Sequence, residues 1–216
     1  MHKSKIKIKP RPSKLFMYER LYEDLKEMKK KYKIFSITEF ACGVSNLLDP
    51  IKPSYYQGID LRKKTITESK NKNKNKNYNF FVGNMLNFKS KKKTSLGMCI
   101  QTFGINVDFD NKILLKSLNN LNKHILKNGS IIFNMSNELY IKNKKMIDDF
   151  CYNNYLHVNN INYGLFNERY SYRLTRILIN IEKFFLLKLK LKKYVYIKCI
   201  NKKSLYKTKS LNHKLF

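Results

Sequence analysis

Alternation is the feature that most limits what this chain can fold into. Seven short runs of β-forming residues, at 34–37, 55–59, 80–82, 96–102, 130–134, 157–163 and 194–200, are punctuated by segments with helical apolar spacing. In the first such segment, 15–31, Leu15, Phe16, Leu21, Tyr22, Leu25 and Met28 share one face, and Glu19, Glu23, Asp24 and Glu27 fill the other. Further helices are expected at 113–126, 144–155 and 174–187. The second of the four carries Leu114, Leu118, Leu121 and Ile125 on one face and should stop at Lys127-Asn128-Gly129, a glycine C-cap signal. Strands alternating with helices argue for an α/β domain with a mostly parallel sheet.

The flanks read differently. Residues 1–14 look like a basic disordered arm in which Pro10 and Pro12 block a helix, and 204–216 look like a basic tail. The stretch between, 15–203, is expected to be one domain. Ser69 to Asn77, a Lys-Asn repeat, reads as a solvated loop.

Composition sets further bounds. With 216 residues, 43% hydrophobic and 13% aromatic, the chain can bury a sizeable core, which excludes wholesale disorder. Its formal charge is +30, and of 45 basic residues only Arg11, Arg20, Arg62, Arg169, Arg173 and Arg176 are arginine. Either a coding bias towards A/T-rich codons spread lysine over the surface, or the surface serves a polyanion. The four cysteines, Cys42, Cys99, Cys151 and Cys199, lie far apart in apolar runs, so buried reduced thiols are expected and no metal site. The most apolar stretch, 177–189, is broken by Glu182, Lys183 and Lys188 and is too short to span a bilayer. No apolar leader follows the N-terminus, and the chain reads as cytoplasmic.

In open α/β sheets, ligands bind outside the carboxyl ends of the strands, where strand order reverses. The small-residue turn Ala41-Cys42-Gly43-Val44-Ser45 would let backbone amides approach a ligand there. Asp60 follows Gly43 by 17 residues, near the spacing at which a second strand presents an acid to ribose hydroxyls.

With these residues in view, the sequence resembles the class I S-adenosylmethionine-dependent methyltransferases over about residues 34–135. Glu39-Phe40-Ala41-Cys42-Gly43-Val44-Ser45-Asn46 is similar to the family's acid-x-Gly-x-Gly-x-Gly turn, with Ala and Ser in place of the outer glycines. Tyr56-Gln57-Gly58-Ile59-Asp60-Leu61 resembles its ribose-binding strand, and Gly83-Asn84-Met85 stands where the family usually has Gly-Asp. Cys99-Ile100-Gln101-Thr102-Phe103-Gly104 holds the fourth position, without an Asp or Asn-Pro-Pro-Tyr signature. Leu126-Lys127-Asn128-Gly129-Ser130 resembles the turn into strand five. The resemblance implies a Rossmann-like seven-stranded sheet with helices on both faces and an antiparallel last strand, with S-adenosyl-L-methionine as cofactor. It also implies a cofactor site of Glu39, Ala41, Cys42, Gly43, Asn46, Asp60, Leu61, Asn84, Met85, Gln101 and Phe103, with 144–203 on the substrate side.

Three of the six arginines fall in Phe166-Asn167-Glu168-Arg169-Tyr170-Ser171-Tyr172-Arg173-Leu174-Thr175-Arg176. One reading is a substrate wall, with Arg173 or Arg169 meeting an anionic group and Glu168 or Tyr170 assisting proton removal. The other is a helix start laced with ion pairs. Tyr18 and Tyr22 could close over the cofactor or simply pack, and His124 reads as a surface or half-buried residue. The functional expectation is methyl transfer to oxygen or nitrogen of a small molecule. Its rivals are an RNA methyltransferase, a decayed relative, and a basic binding module that keeps the fold as scaffold.

Overall fold

The computed structural model describes residues 12–44, 48–104, 110–163, 172–185 and 193–201. In chain order these form α1 (Pro12–Lys31), β1 (Ser36–Phe40), α2 (Leu48–Ile51), β2 (Tyr55–Asp60), α3 (Lys63–Lys72), β3 (Tyr78–Val82) and β4 (Thr94–Phe103). They continue with α4 (Asn111–Lys123), β5 (Ile125–Ser136), α5 (Asn137–Asn153), β6 (Leu156–Tyr163), α6 (Tyr172–Phe185) and β7 (Tyr194–Asn201). The strands make one seven-stranded sheet in the order β3-β2-β1-β4-β5-β7-β6. Only β7 runs antiparallel to its neighbours, pairing β5 and β6.

Both faces of the sheet are buried, which is why the strands read as apolar runs rather than strict alternations. Ile37, Leu96, Met98, Ile132 and Tyr196 point to one face and pack with Phe16, Met17, Leu21 and Leu25 of α1, Ile66 of α3 and Ile179 of α6. Phe40, Cys99, Phe133, Val195 and Ile197 point to the other and pack with Leu114, Leu118 and Leu121 of α4 and Ile147 and Phe150 of α5. Each such side chain, fully buried, contributes about 1.5–3 kcal/mol. All four cysteines are buried and unbridged.

Some local expectations change. Pro12 opens α1 rather than blocking it, since a proline fits the first helical position, where no N–H is needed. The Lys-Asn repeat is not wholly a loop: α3 takes in its first residues, and Ser69 and Asn73 are buried. Gly129 caps no helix, because α4 ends at Lys123 and Gly129 lies within β5. There the β4–β5 register shifts between Thr94 and Leu96. A Cβ on Gly129 would sit 2.9 Å from both Leu126 O and Ser95 O, so close backbone approach demands glycine. Helix α5 begins at Asn137, seven residues before the expected start, because Ser136 caps it by accepting from the Leu139 N–H.

Candidate cofactor site

The chain runs β1, β2, β3 outward in one direction, then returns to place β4 on the other side of β1. The reversal therefore lies between β1 and β4, and the crevice beyond their carboxyl ends is where such a sheet holds a ligand. Two of the four described non-glycine residues at positive φ lie at that point, the others being Lys52 before β2 and Tyr155 before β6. Ala41 (φ 53°) and Gly43 (φ 54°) follow β1, and Gln101 (φ 61°) and Gly104 (φ 61°) end β4. A left-handed alanine or glutamine is costly, and costs of this kind collect where a backbone must be held in a special shape. Among the described residues, a Cβ built on Gly43 meets no atom within 4 Å, so they leave space open over this turn.

Asp60 anchors the turn from β2. Its Oδ2 accepts from the Gly43 N–H at 3.1 Å, and Oδ1 accepts from the Arg62 N–H at 2.9 Å and Arg62 Nε at 3.1 Å. Burial pushes the Asp60 carboxyl up, but the Arg62 hydrogen bonds, the Gly43 amide and the Arg62 charge together hold it below the usual range. The Ser69 hydroxyl also donates to Gly43 O at 3.0 Å, the Cys42 thiol lies 3.5 Å from the same oxygen, and the Cys42 N–H donates to Ile59 O at 3.0 Å.

Glu39 lies beneath the turn and is buried. Tyr56 donates to its Oε2 at 2.6 Å. Burial raises the Glu39 carboxyl to about 7, with the Asp60 charge adding to the rise and the Tyr56 bond opposing it. Gly58, opposite Glu39 in the β1–β2 register, has no room for a side chain: a Cβ would sit 2.8 Å from the Tyr56 ring and 2.9 Å from Cys42 Sγ.

Other expected residues take varied positions. Leu61 is 67% exposed directly after Asp60, and Val82, which pairs with Asp60 across the β2–β3 register, is 55% exposed, so apolar surface borders the acid. Asn84 Oδ1 accepts from the Leu86 N–H at 2.9 Å, and Met85 O accepts from Asn120 Nδ2 at 2.8 Å, which fixes the turn after β3. The Gln101 N–H donates to Asn134 Oδ1 at 2.6 Å, while Phe103 packs edge-on against Phe133 in the core. Arg173 is exposed, one residue into α6. Arg176 pairs with Glu19 of α1. Asn46, Ser45, Glu168, Arg169 and Tyr170 lie outside the described residues.

Tyr18 and Tyr22 pack on the core beneath α1. Burial raises the Tyr18 hydroxyl and the Glu39 charge raises it further, so α1 lies close to the site acid. His124 is buried rather than superficial. Its Nε2 lies 3.0 Å from Phe88 O, and its Nδ1 has no hydrogen-bond partner among the described residues. Sequence reasoning missed Tyr56, Arg62, Ser69 and Asn134. Tyr56 was the most accessible of these: it stands two residues before Gly58 on the strand that pairs with β1 and so shares a face with it.

Among the described residues, no three His, Cys, Asp or Glu side chains converge to hold a metal, and no helix is long and apolar enough to cross a membrane.

No family model and no curated protein matches the sequence. Solved structures match the fold along most of the chain. The N-methyltransferase NodS from Bradyrhizobium japonicum WM9 aligns at TM-score 0.58 and 11% identity, over 86% of this chain and 96% of that one. The plantazolicin methyltransferase BpumL aligns at 0.57 and 16%, over 88% and 85%. Magnesium protoporphyrin IX methyltransferase (ChlM) from Synechocystis PCC 6803, with bound SAM, aligns at 0.57 and 9%, over 87% and 80%. The chain therefore has the class I S-adenosylmethionine-dependent methyltransferase fold, with the six parallel strands and antiparallel β7 that the sequence implied.

Proposed function

We propose that this chain is an S-adenosylmethionine-dependent methyltransferase acting on oxygen or nitrogen of a small molecule. The observation that carries the reading is the left-handed Ala41–Gly43 turn at the strand-order reversal, tied by the Gly43 N–H to the Asp60 carboxylate. The residues present fit the cofactor in three respects. The described residues leave space open above Gly43, Asp60 stays ionised to accept from ribose hydroxyls, and Leu61 and Val82 offer apolar surface for a purine. The Asn84 side-chain oxygen can accept a second hydrogen bond, from an adenine amine, beside the one it takes from Leu86.

When bound, the cofactor supplies an electrophilic methyl sulfonium. The chain need then only orient an acceptor in line with it, exclude water and remove a proton where the acceptor is weakly acidic. The segment leaving β6 is the candidate for the acceptor side, because Tyr163 ends β6 at the same pole as Ser136 of β5. Within it, Glu168 or Tyr170 would take the proton, and Arg169, or Arg173 at the start of α6, would meet an anionic group. The names of BpumL, a plantazolicin methyltransferase, and ChlM, a magnesium protoporphyrin IX methyltransferase, favour a small-molecule acceptor over a protein one, of which the ribosomal protein L11 methylase among the neighbours is an example.

Calorimetric titration with S-adenosylmethionine and S-adenosylhomocysteine tests the reading. Micromolar binding that Asp60→Ala abolishes in a folded protein is the expected result. No binding by the parent chain, or binding indifferent to Asp60→Ala, would overturn it.

A further inference from the structure

The edge of the sheet at β3 carries a second, separate feature. From Ser69 to Val107 the chain contains eight lysines and no acidic residue. Those lysines form two stretches, 70–76 and 89–93, and the fold brings both to the amino ends of β2 and β3. Asn77 O accepts from the Tyr56 N–H at 3.1 Å, which returns the first stretch to β2. The second is held by Gln57, whose Nε2 donates to Lys92 O at 3.2 Å, and Lys92 Nζ stands 3.5 Å over the Tyr55 ring.

Alongside runs a groove of about 370 Å³, lined by Lys70, Lys74, Asn75, Tyr78, Asn79 and Phe81 among others, none of them acidic. Strand β3 borders it as the last strand of the sheet, and Phe81 is 38% exposed. Lysines spaced beside aromatic faces are what a single nucleic acid strand requires. The cations follow the phosphates, and bases stack on rings of any sequence context. A duplex would present its phosphates but keep its bases paired and out of reach of Phe81. Asn75, whose Oδ1 accepts from the Asn77 N–H at 2.9 Å, still offers its side-chain N–H donors, which suits a 2′-hydroxyl.

We propose that this β3 edge, with the two lysine stretches, is a binding surface for single-stranded RNA. The groove extends along β3 from Tyr78 to Phe81, one residue short of Val82 on the border of the candidate cofactor site. A bound strand would thus reach that pole, although binding itself needs no methyl donor and does not rest on the methyltransferase reading.

The test is fluorescence anisotropy of the full chain with a labelled, unstructured RNA of about 15 nucleotides, from about 50 to about 200 mM salt and without cofactor. Lys70→Gln/Lys74→Gln should weaken binding about tenfold at the higher salt and lower the log–log salt slope by about 1.4, two single-strand phosphate contacts. Lys142→Gln/Lys145→Gln, an equal charge loss on exposed α5 positions, should change affinity less than about twofold. Phe81→Ala should weaken binding about fivefold or more at every salt concentration, with the slope unchanged. Equal losses from the two lysine pairs would overturn the proposal in favour of diffuse attraction by the overall charge. DNA of the same sequence binding as tightly would overturn the assignment to RNA. Binding to anionic vesicles that RNA does not displace would assign the surface to membrane instead, and no RNA binding at the lower salt would end it.

Discussion

The Tyr56 hydroxyl donates to Glu39 Oε2 at 2.6 Å, joining the second strand to the buried acid under the candidate cofactor turn. That acid titrates near neutrality, with its carboxyl raised from 4.5 to about 7 chiefly by burial. The folded state therefore holds a proton that the unfolded chain releases between these values. Stability associated with Glu39 is full below about pH 4.5, falls as pH rises to about 7 and is lost above it. The span corresponds to roughly 3 kcal/mol. Glu39→Gln keeps an acceptor for Tyr56 without the charge, so it should gain stability relative to the parent as pH rises from 5 to 8. Urea denaturation of both proteins across that range measures the difference, and a constant gap would contradict the assignment.

Arg62 stands across the acid that ribose hydroxyls would use. Its guanidinium is 71% exposed and reaches Asp60 Oδ1 at 3.1 Å through Nε and Oδ2 at 3.4 Å through Nη2. An exposed pair contributes little to stability, at most about 1 kcal/mol. Occupied oxygens, however, must be vacated before a sugar can bind. Arg62→Ala should tighten S-adenosylhomocysteine binding severalfold and shift the melting temperature little, whereas Asp60→Asn should weaken binding more than about tenfold. Calorimetry on the two variants checks the opposite signs. Weaker binding in Arg62→Ala would instead make the arginine a cofactor contact.

Much of this site was legible because its signals are local. Gly43 and Asp60 announce themselves by residue type and separation, and seven β runs suffice for the strand count. The antiparallel sense of β7 came only through resemblance, and the order in which the strands lie came only with the structure. Arg62 was not legible, since nothing in a two-residue spacing says that a side chain will turn back on Asp60. Helix α3 escaped because it buries little beyond Ile66 and Ser69, leaving no apolar period to detect. Gly129 misled because a glycine after periodic leucines signals a helix end. Here the sheet's demand for close backbone approach beside Ser95 set the conformation instead.

Ala41 occupies a left-handed conformation, φ 53°, that its Cβ makes costly by about 1–2 kcal/mol. Glycine would relieve this but adds freedom to the unfolded chain worth about 0.4–1 kcal/mol. Ala41→Gly should therefore stabilise the protein by about 0.5–1 kcal/mol in urea denaturation. Gly58→Ala should act the other way, by about 1–3 kcal/mol, because its Cβ would press on the Tyr56 ring at 2.8 Å and Cys42 Sγ at 2.9 Å. A loss of stability in Ala41→Gly would mean that the turn is not held as described.

Lys198 of β7 joins the sheet to α1 through two ion pairs. Buried at 6% exposure, its Nζ donates to Asp24 Oδ1 at 2.8 Å and Glu27 Oε2 at 2.9 Å, while Tyr196 donates to Asp24 Oδ2 at 2.8 Å. Replacing one partner of a buried pair leaves the other charge desolvated and largely unpaired, so Lys198→Met should cost about 3 kcal/mol. Among the described residues, Asp24 would keep Arg20, at 3.3 Å, as its one cation. Removing the carboxylate's charge as well, in Lys198→Met/Asp24→Asn, should recover at least half of that loss, since Asn still accepts from Tyr196. High salt should leave the effect of the single variant nearly intact, because buried charges are weakly screened. Denaturation of the parent, both single variants and the double variant yields the coupling energy. A Lys198→Met cost below about 0.5 kcal/mol would show that the α1 contact rests on its leucines and methionines alone.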